Sequence, residues 1–171
     1  MMNAGPAPIR RTTVSCNYRM FGMHDPSCEE SDNFATAVSA ASREVVGWAP
    51  NAVMVEVVCD LVRIGVQVEV LAGEPAADES ADLLRDGRLE VPGGLLSVPQ
   101  SADEAFQRGV DLPDGPGTYG VRVLGYGRAR ARRLRDEGVG PAIVGALAGI
   151  EHYRICLWRV LSEPRWEDDE D

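Results

Sequence analysis

A chain of 171 residues, 44% hydrophobic and 26% charged, has the composition of a globular protein and is long enough to bury a core without staples. Its formal charge of −10, from 27 acidic against 17 basic residues, argues against a nucleic-acid binder, which needs a basic face for phosphates, and suits a partner that is itself basic. No apolar run approaches the roughly 18–20 residues that span a bilayer, and residues 1–11 lack the apolar stretch of a signal peptide, so a cytoplasmic location is expected.

Residues 1–11 read as a loose terminus, residues 12–162 as one domain and residues 163–171 as an acidic tail. Residues 9–23 are rich in Thr, Val, Tyr and Phe and read as strand, closed by turn chemistry at His24, Asp25, Pro26 and Ser27. An acidic patch follows, with Glu29, Glu30 and Asp32. The spacing of Phe34, Val38, Ala41 and Val45 predicts a helix over residues 34–46, capped by Asp32 or Asn33 and ended by Gly47. The β-branched pair Val45 and Val46 suits a strand as well.

Residues 52–58 and 66–71 are the clearest strands. In the second, Val66, Val68 and Val70 face one way and Gln67 and Glu69 the other, as a strand with one buried face requires. The short link over residues 60–65 suggests a hairpin. A polar loop follows over residues 74–79, and residues 80–85 read as a helical turn or a bent edge strand. Residues 88–91 and 95–98 are short strands around Pro92, Gly93 and Gly94. Residues 106–112 lead into the strongest turn signal, Pro113-Asp114-Gly115-Pro116-Gly117. In residues 118–126, Tyr119, Val121 and Val123 share one face and Arg122 takes the other. Residues 127–138 are Arg-rich and helical or irregular, residues 145–150 are small and apolar, and residues 152–161 form the last strand. About seven to nine short strands separated by turns, with one or two short helices, argue a mostly β fold, an antiparallel β-sandwich.

Candidate chemistry is sparse. A nucleophile needs a base within hydrogen-bond reach, and the only histidines, His24 and His152, each stand four residues before a cysteine, Cys28 and Cys156. Zinc wants about four N or S ligands and no CxxC pair exists, so these four residues are weak metal candidates and no metal or cofactor is expected. Cys16, Cys59 and Cys156 lie in β-like runs and are expected reduced, at least two of them buried and unpaired. The glycine-rich segments lack the lysine of a phosphate loop. The one basic feature is Arg128, Arg130, Arg132, Arg133 and Arg135, suited to phosphate or an acidic partner, or to internal pairing with Asp136 and Glu137. Trp158 belongs to a core or sheet face, whereas Trp166, in the acidic tail, is placed as an exposed anchor.

Three stretches, residues 14–21 (Val14-Ser15-Cys16-Asn17-Tyr18-Arg19-Met20-Phe21), residues 112–123 with their Leu-Pro-Asp-Gly entry into Tyr119, and residues 151–158 ending in Trp158, together resemble the bacterial competence nuclease-inhibitor (ComJ-like) family, nearest to its actinobacterial relatives. The resemblance implies a small β-rich protein, and in its best-known type an inhibitor of a DNA-entry nuclease. The Arg-rich segment over residues 127–138 is extra to that pattern, and no inhibitory position transfers residue by residue. The leading expectation is therefore a non-enzymatic protein-binding module, a nuclease inhibitor or immunity-type protein. Its partner would be a basic protein, met by Glu29, Glu30, Asp32 and Trp166, with the five arginines as second choice. The alternative is a small-ligand- or metal-binding sandwich, or a weak hydrolase, using His24, Cys28, His152 and Cys156.

Overall fold

The computed structural model describes residues 9–16, 18–28, 30–99, 107–138 and 147–160. In chain order the elements are β1 (Ile9–Ser15), β2 (Met20–His24), α1 (Glu30–Glu44), β3 (Val46–Ala49), β4 (Ala52–Glu56), β5 (Arg63–Leu71), β6 (Leu83–Val91), β7 (Leu95–Pro99), β8 (Gln107–Asp111), β9 (Gly117–Tyr126), α2 (Arg128–Glu137) and β10 (His152–Arg159). Strand alternation sorts these into two five-stranded sheets. The first has the order β1-β5-β10-β9-β6 and the second β3-β4-β2-β7-β8. Among the described residues the fold is the expected mostly β sandwich, with two helices, α1 and α2. Neighbouring strands run antiparallel except β5 and β10, which pair in parallel from His152 opposite Gly65 to Trp158 opposite Leu71.

The core lies between the sheets. Val66, Val68 and Val70 are buried, as their alternation requires, and meet Tyr119, Val121, Val123, Tyr153, Ile155 and Leu157 of the same sheet and Phe21, Met23, Val53, Val55, Leu96 and Val98 of the other. Each such side chain contributes on the order of 1.5–3 kcal/mol by leaving water. Helix α1 covers the outer face of the second sheet, packing Ala37 and Ala41 against Ala49, Ala52 and Met54. Helix α2 closes one end, where Ala131 and Leu134 meet Val58, Cys59, Val62, Leu147 and Ile150.

Four local readings change. The strand-like run over residues 9–23 is two strands in different sheets, because Tyr18 and Arg19 take left-handed backbone (φ 57° and 59°) and turn the chain. The link between residues 52–58 and 66–71 is not a hairpin: β4 and β5 belong to opposite sheets, and Val57, Val58 and Val62 are buried as the chain crosses over. Helix α1 starts at Glu30, so Asp32 and Asn33 lie inside it rather than at its cap. It ends at Glu44, before Val45, whose φ of 73° breaks the helical path. Gly47 is not the terminator but part of β3, where a Cβ would come within 1.9 Å of the Ala37 carbonyl. Glycine there lets helix and sheet approach.

All four cysteines are free thiols, with Cys16, Cys59 and Cys156 buried and Cys28 half-buried. Among the described residues no helix is long and apolar enough to cross a membrane.

Candidate functional site

The outward residues of the first sheet line up in rows across its strands. One row runs Asp86, Arg122, Cys156, Glu69, and the next runs Arg88, Gly120, Trp158. Arg122 is buried and fully engaged. It donates from Nε to Asp86 Oδ1 (2.7 Å), from Nη2 to Asp86 Oδ2 (3.0 Å) and Glu74 Oε1 (2.9 Å), and from Nη1 to the Pro75 carbonyl. These bonds tie the loop after β5 down onto the sheet face. Further along, Tyr126 donates to Asp78 Oδ2 (2.8 Å) and stacks on His152 with ring centroids 5.0 Å apart. Arg154 donates to Glu69 Oε2 (2.6 Å from Nη2), and Gln67 donates to the other Glu69 oxygen (2.5 Å). Burial alone would raise the Glu69 carboxyl, but the bonds from Arg154 and Gln67 outweigh it and hold the group below its ordinary range. Burial, with Glu69 beside it, pushes the Cys156 thiol up to about 11, which makes it a poor nucleophile.

Beside this network lies a cleft of about 400 Å³, lined by Glu74, Asp86, Gly87, Arg88, Gly120, Trp158 and Val160. Its floor is the Trp158 indole, which lies so close to Gly120 that a Cβ there would come within 2.4 Å of the ring. The Arg122 guanidinium carbon stands 5.9 Å from the indole centroid. The carboxylates of Glu74 and Asp86 form the rim and remain 62% and 49% exposed although each is paired to Arg122. An aromatic floor beside two oriented carboxylates is a surface for a cation or a polar planar group.

At one end of the sandwich two loops are clamped together. Asp60 Oδ1 accepts from the backbone N–H of Arg19 (3.1 Å) and of Leu61 (3.0 Å), and Leu61 N–H also donates to the Cys16 carbonyl (2.9 Å). Tyr18, Arg19 and Leu61 all have positive φ. Tyr18 and Leu61 project into solvent, 84% and 70% exposed.

The residues singled out from the sequence fall in several places. Glu30 and Asp32 lie in the first turn of α1. Their side chains, Glu29, and the tail with Trp166 lie outside the described residues. The arginine run divides by helical period. Arg128 turns inward and is buried, donating to the Glu56 carbonyl (2.8 Å), Tyr153 Oη (2.5 Å) and Glu151 Oε1 (3.3 Å). Glu151, itself buried, also accepts from Val58 N–H (2.9 Å). Arg135 spans the Val58 carbonyl and Asp136 at 3.1 Å each. Arg130, Arg132 and Arg133 are exposed and form no ion pair with any described residue.

The histidines and cysteines are not brought together. His24 ends β2 in the second sheet and sits edge-on to Phe34 of α1 at 4.7 Å, whereas His152 and Cys156 are on the outer face of the first sheet. Among the described residues no group of three His, Cys, Asp or Glu is arranged to hold a metal. Sequence reasoning placed Trp158 on a sheet face but missed its companions Glu74, Asp86 and Arg88. The available signal was Gly120, a glycine inside a strand, which marks close approach of another group, here the Trp158 indole.

The architecture is that of the ComJ-like sandwiches, and the family resemblance read from the sequence holds at the level of the fold. A structure titled "Crocagin biosynthetic gene J" superposes with a TM-score of 0.59 at 20% identity, covering 90% of this chain and 98% of that one. ComJ from Bacillus subtilis, an inhibitor of the DNA-degrading activity of NucA, superposes with a TM-score of 0.56 at 14% identity, covering 91% of this chain and all of its own. No family model and no curated protein matches the sequence.

Proposed function

We propose that this chain is a non-enzymatic binding protein that occupies and inhibits a basic protein, a nuclease first among them, in the cytoplasm. It would act as one unit over residues 12–162 with the tail over residues 163–171 as an accessory acidic arm. The observation that carries this reading is the likeness, over nearly the full length of both chains, to the fold of a nuclease inhibitor. The net charge of −10 supports it, since an acidic surface speeds association with a basic cleft and takes the place of a nucleic-acid backbone there. Glu29, Glu30, Asp32 and Trp166 are the first contact residues to test.

The test is capture of the partner from the host, its identification by mass spectrometry, and assay of its DNA degradation with and without this chain. Stoichiometric loss of degradation is the expected result; an unaffected or acidic partner overturns the reading. Replacing Glu29, Glu30 and Asp32 together by Ser should lower the association rate and flatten its salt dependence, measured by surface plasmon resonance at low and high salt. A second reading has one observation behind it. Arg130, Arg132 and Arg133, exposed and without an ion pair among the described residues, suit an acidic partner, and replacing those three by Ser would then abolish binding where the acidic triple variant does not.

A further inference from the structure

We propose that the cleft on the outer face of the first sheet, floored by Trp158 and rimmed by Glu74 and Asp86, receives an arginine or lysine side chain presented by the basic partner. This rests on the reading of the partner as basic, and names the place where it is held.

The indole supplies the attractive surface. A cation over an indole face gains on the order of 0.5–1 kcal/mol when exposed and more when desolvated, and the Trp158 ring already has one guanidinium 5.9 Å from its centroid. The floor is rigid, because the ring is pressed on the β9 backbone at Gly120. The rim is rigid as well. Arg122 donates one bond to Glu74 and one to each oxygen of Asp86. An ionised carboxylate offers about four lone-pair sites, so both rim groups are oriented while keeping acceptor capacity toward the cleft. Holding the acceptors in place beforehand lowers the entropy lost on binding.

The segment that borders the cleft carries the matching sign. Residues 74–91 contain six carboxylates (Glu74, Asp78, Glu79, Asp82, Asp86 and Glu90) against two arginines, Arg85 and Arg88. Arg88 stands in the cleft wall, exposed and without an ion pair to a described residue. An aromatic pocket bordered by carboxylates is an arrangement in which one buried basic anchor can supply much of the binding energy.

The experiment titrates the full chain, ¹⁵N-labelled, with the peptide acetyl-Gly-Arg-Gly-amide. The same peptide with citrulline, the neutral isostere, and with Glu in the central position serve as comparisons. The Trp158 indole N–H is assigned through Trp158→Phe. The arginine peptide should shift the Trp158 indole and the Gly120 amide saturably. Citrulline should bind about tenfold more weakly, for loss of the charge-assisted bonds. Glu74→Gln, whose amide oxygen can still accept from Arg122, should weaken the arginine peptide about threefold. No saturable shift, equal binding of citrulline, or preference for the glutamate peptide overturns the proposal. Failure of the broader reading is separable. If the peptide behaves as expected and no basic partner is captured, the cleft assignment stands and the inhibitor reading falls. If a nuclease is captured and both Trp158→Phe and Glu74→Gln inhibit it undiminished, the cleft assignment falls and the inhibitor reading stands.

Discussion

Asp60 holds two residues, Arg19 and Leu61, in a conformation they resist. Left-handed backbone costs an L-residue with a side chain roughly 1 kcal/mol or more, and Leu61, with no local polar group to compensate, bears that cost fully. Leu61→Gly should therefore raise stability by about 1 kcal/mol in urea titration, the relief of strain outweighing glycine's extra freedom in the unfolded chain. Asp60→Ala should do the opposite by about 1–2 kcal/mol, since the Arg19 and Leu61 N–H groups lose their shared acceptor. None of this was legible from the sequence. Tyr18 and Leu61 read as an ordinary strand residue and an ordinary link residue, because the acceptor lies 41 positions from Arg19 and no spacing rule connects them.

Among the elements, strands were easier to find than to assign. The alternation at Val66, Val68 and Val70, and at Tyr119, Val121 and Val123, reports only that one face is buried, and both sheets bury a face in the same core. Crossing links such as residues 57–62 and 92–94 look locally like hairpin turns, so sheet membership stayed hidden. The helices were visible for different reasons. The apolar stripe of α1 has helical period, but its start was displaced because Glu30 and Asp32 carry no apolar signal. The α2 segment was recognised only by charge, while its anchoring by buried Arg128 was not. Two tests follow at this scale. Gly47→Ala should cost about 2–3 kcal/mol, since the added methyl meets the Ala37 carbonyl and forces α1 off β3. Asp82→Ala should cost about 1 kcal/mol, because Asp82 accepts from the Ala129 N–H (2.9 Å) and caps α2 from a distant loop. Thermal unfolding followed by circular dichroism measures both.

For the molecule as a whole, stability should be bounded on both sides in pH. Asp25 accepts from Ser27 N–H, Ser27 Oγ and Gly93 N–H. Burial would raise it, yet those bonds hold it low, as the bonds to Glu69 do there. A carboxyl whose folded pKa is depressed stabilises the fold above its unfolded value of about 4 and loses that contribution as pH falls through the folded value. Stability should thus decline progressively below about pH 4, and Asp25→Asn should flatten the decline. On the alkaline side, burial, with Glu151 and Asp60 nearby, pushes the Cys16 thiol up to about 12 from 9.0. The unfolded chain then releases that proton first, so the contribution is complete below about pH 9 and lost as pH rises toward 12. Urea titrations across pH should show the alkaline fall reduced in Cys16→Ala. The candidate cleft belongs to this scale too. Its rim and floor come from a loop, an edge strand and a strand some eighty residues later, and charges that read singly as solvated surface became a site only when the sheet register set them side by side.

The parallel seam between β5 and β10 has a consequence for the order in which the protein is made. In the first sheet β10 lies between β5 and β9, so strands synthesised long before it have no neighbour on that side until residues 152–159 emerge. A nascent chain that stops short of them presents two unpaired edges, the exposure that favours association with other chains. Release of the first sheet as a folded unit should therefore wait for β10. Arrest-peptide measurements of pulling force along the growing chain should stay flat through residue 151 and rise only once this strand is free, while a chain terminated before it should partition into aggregates.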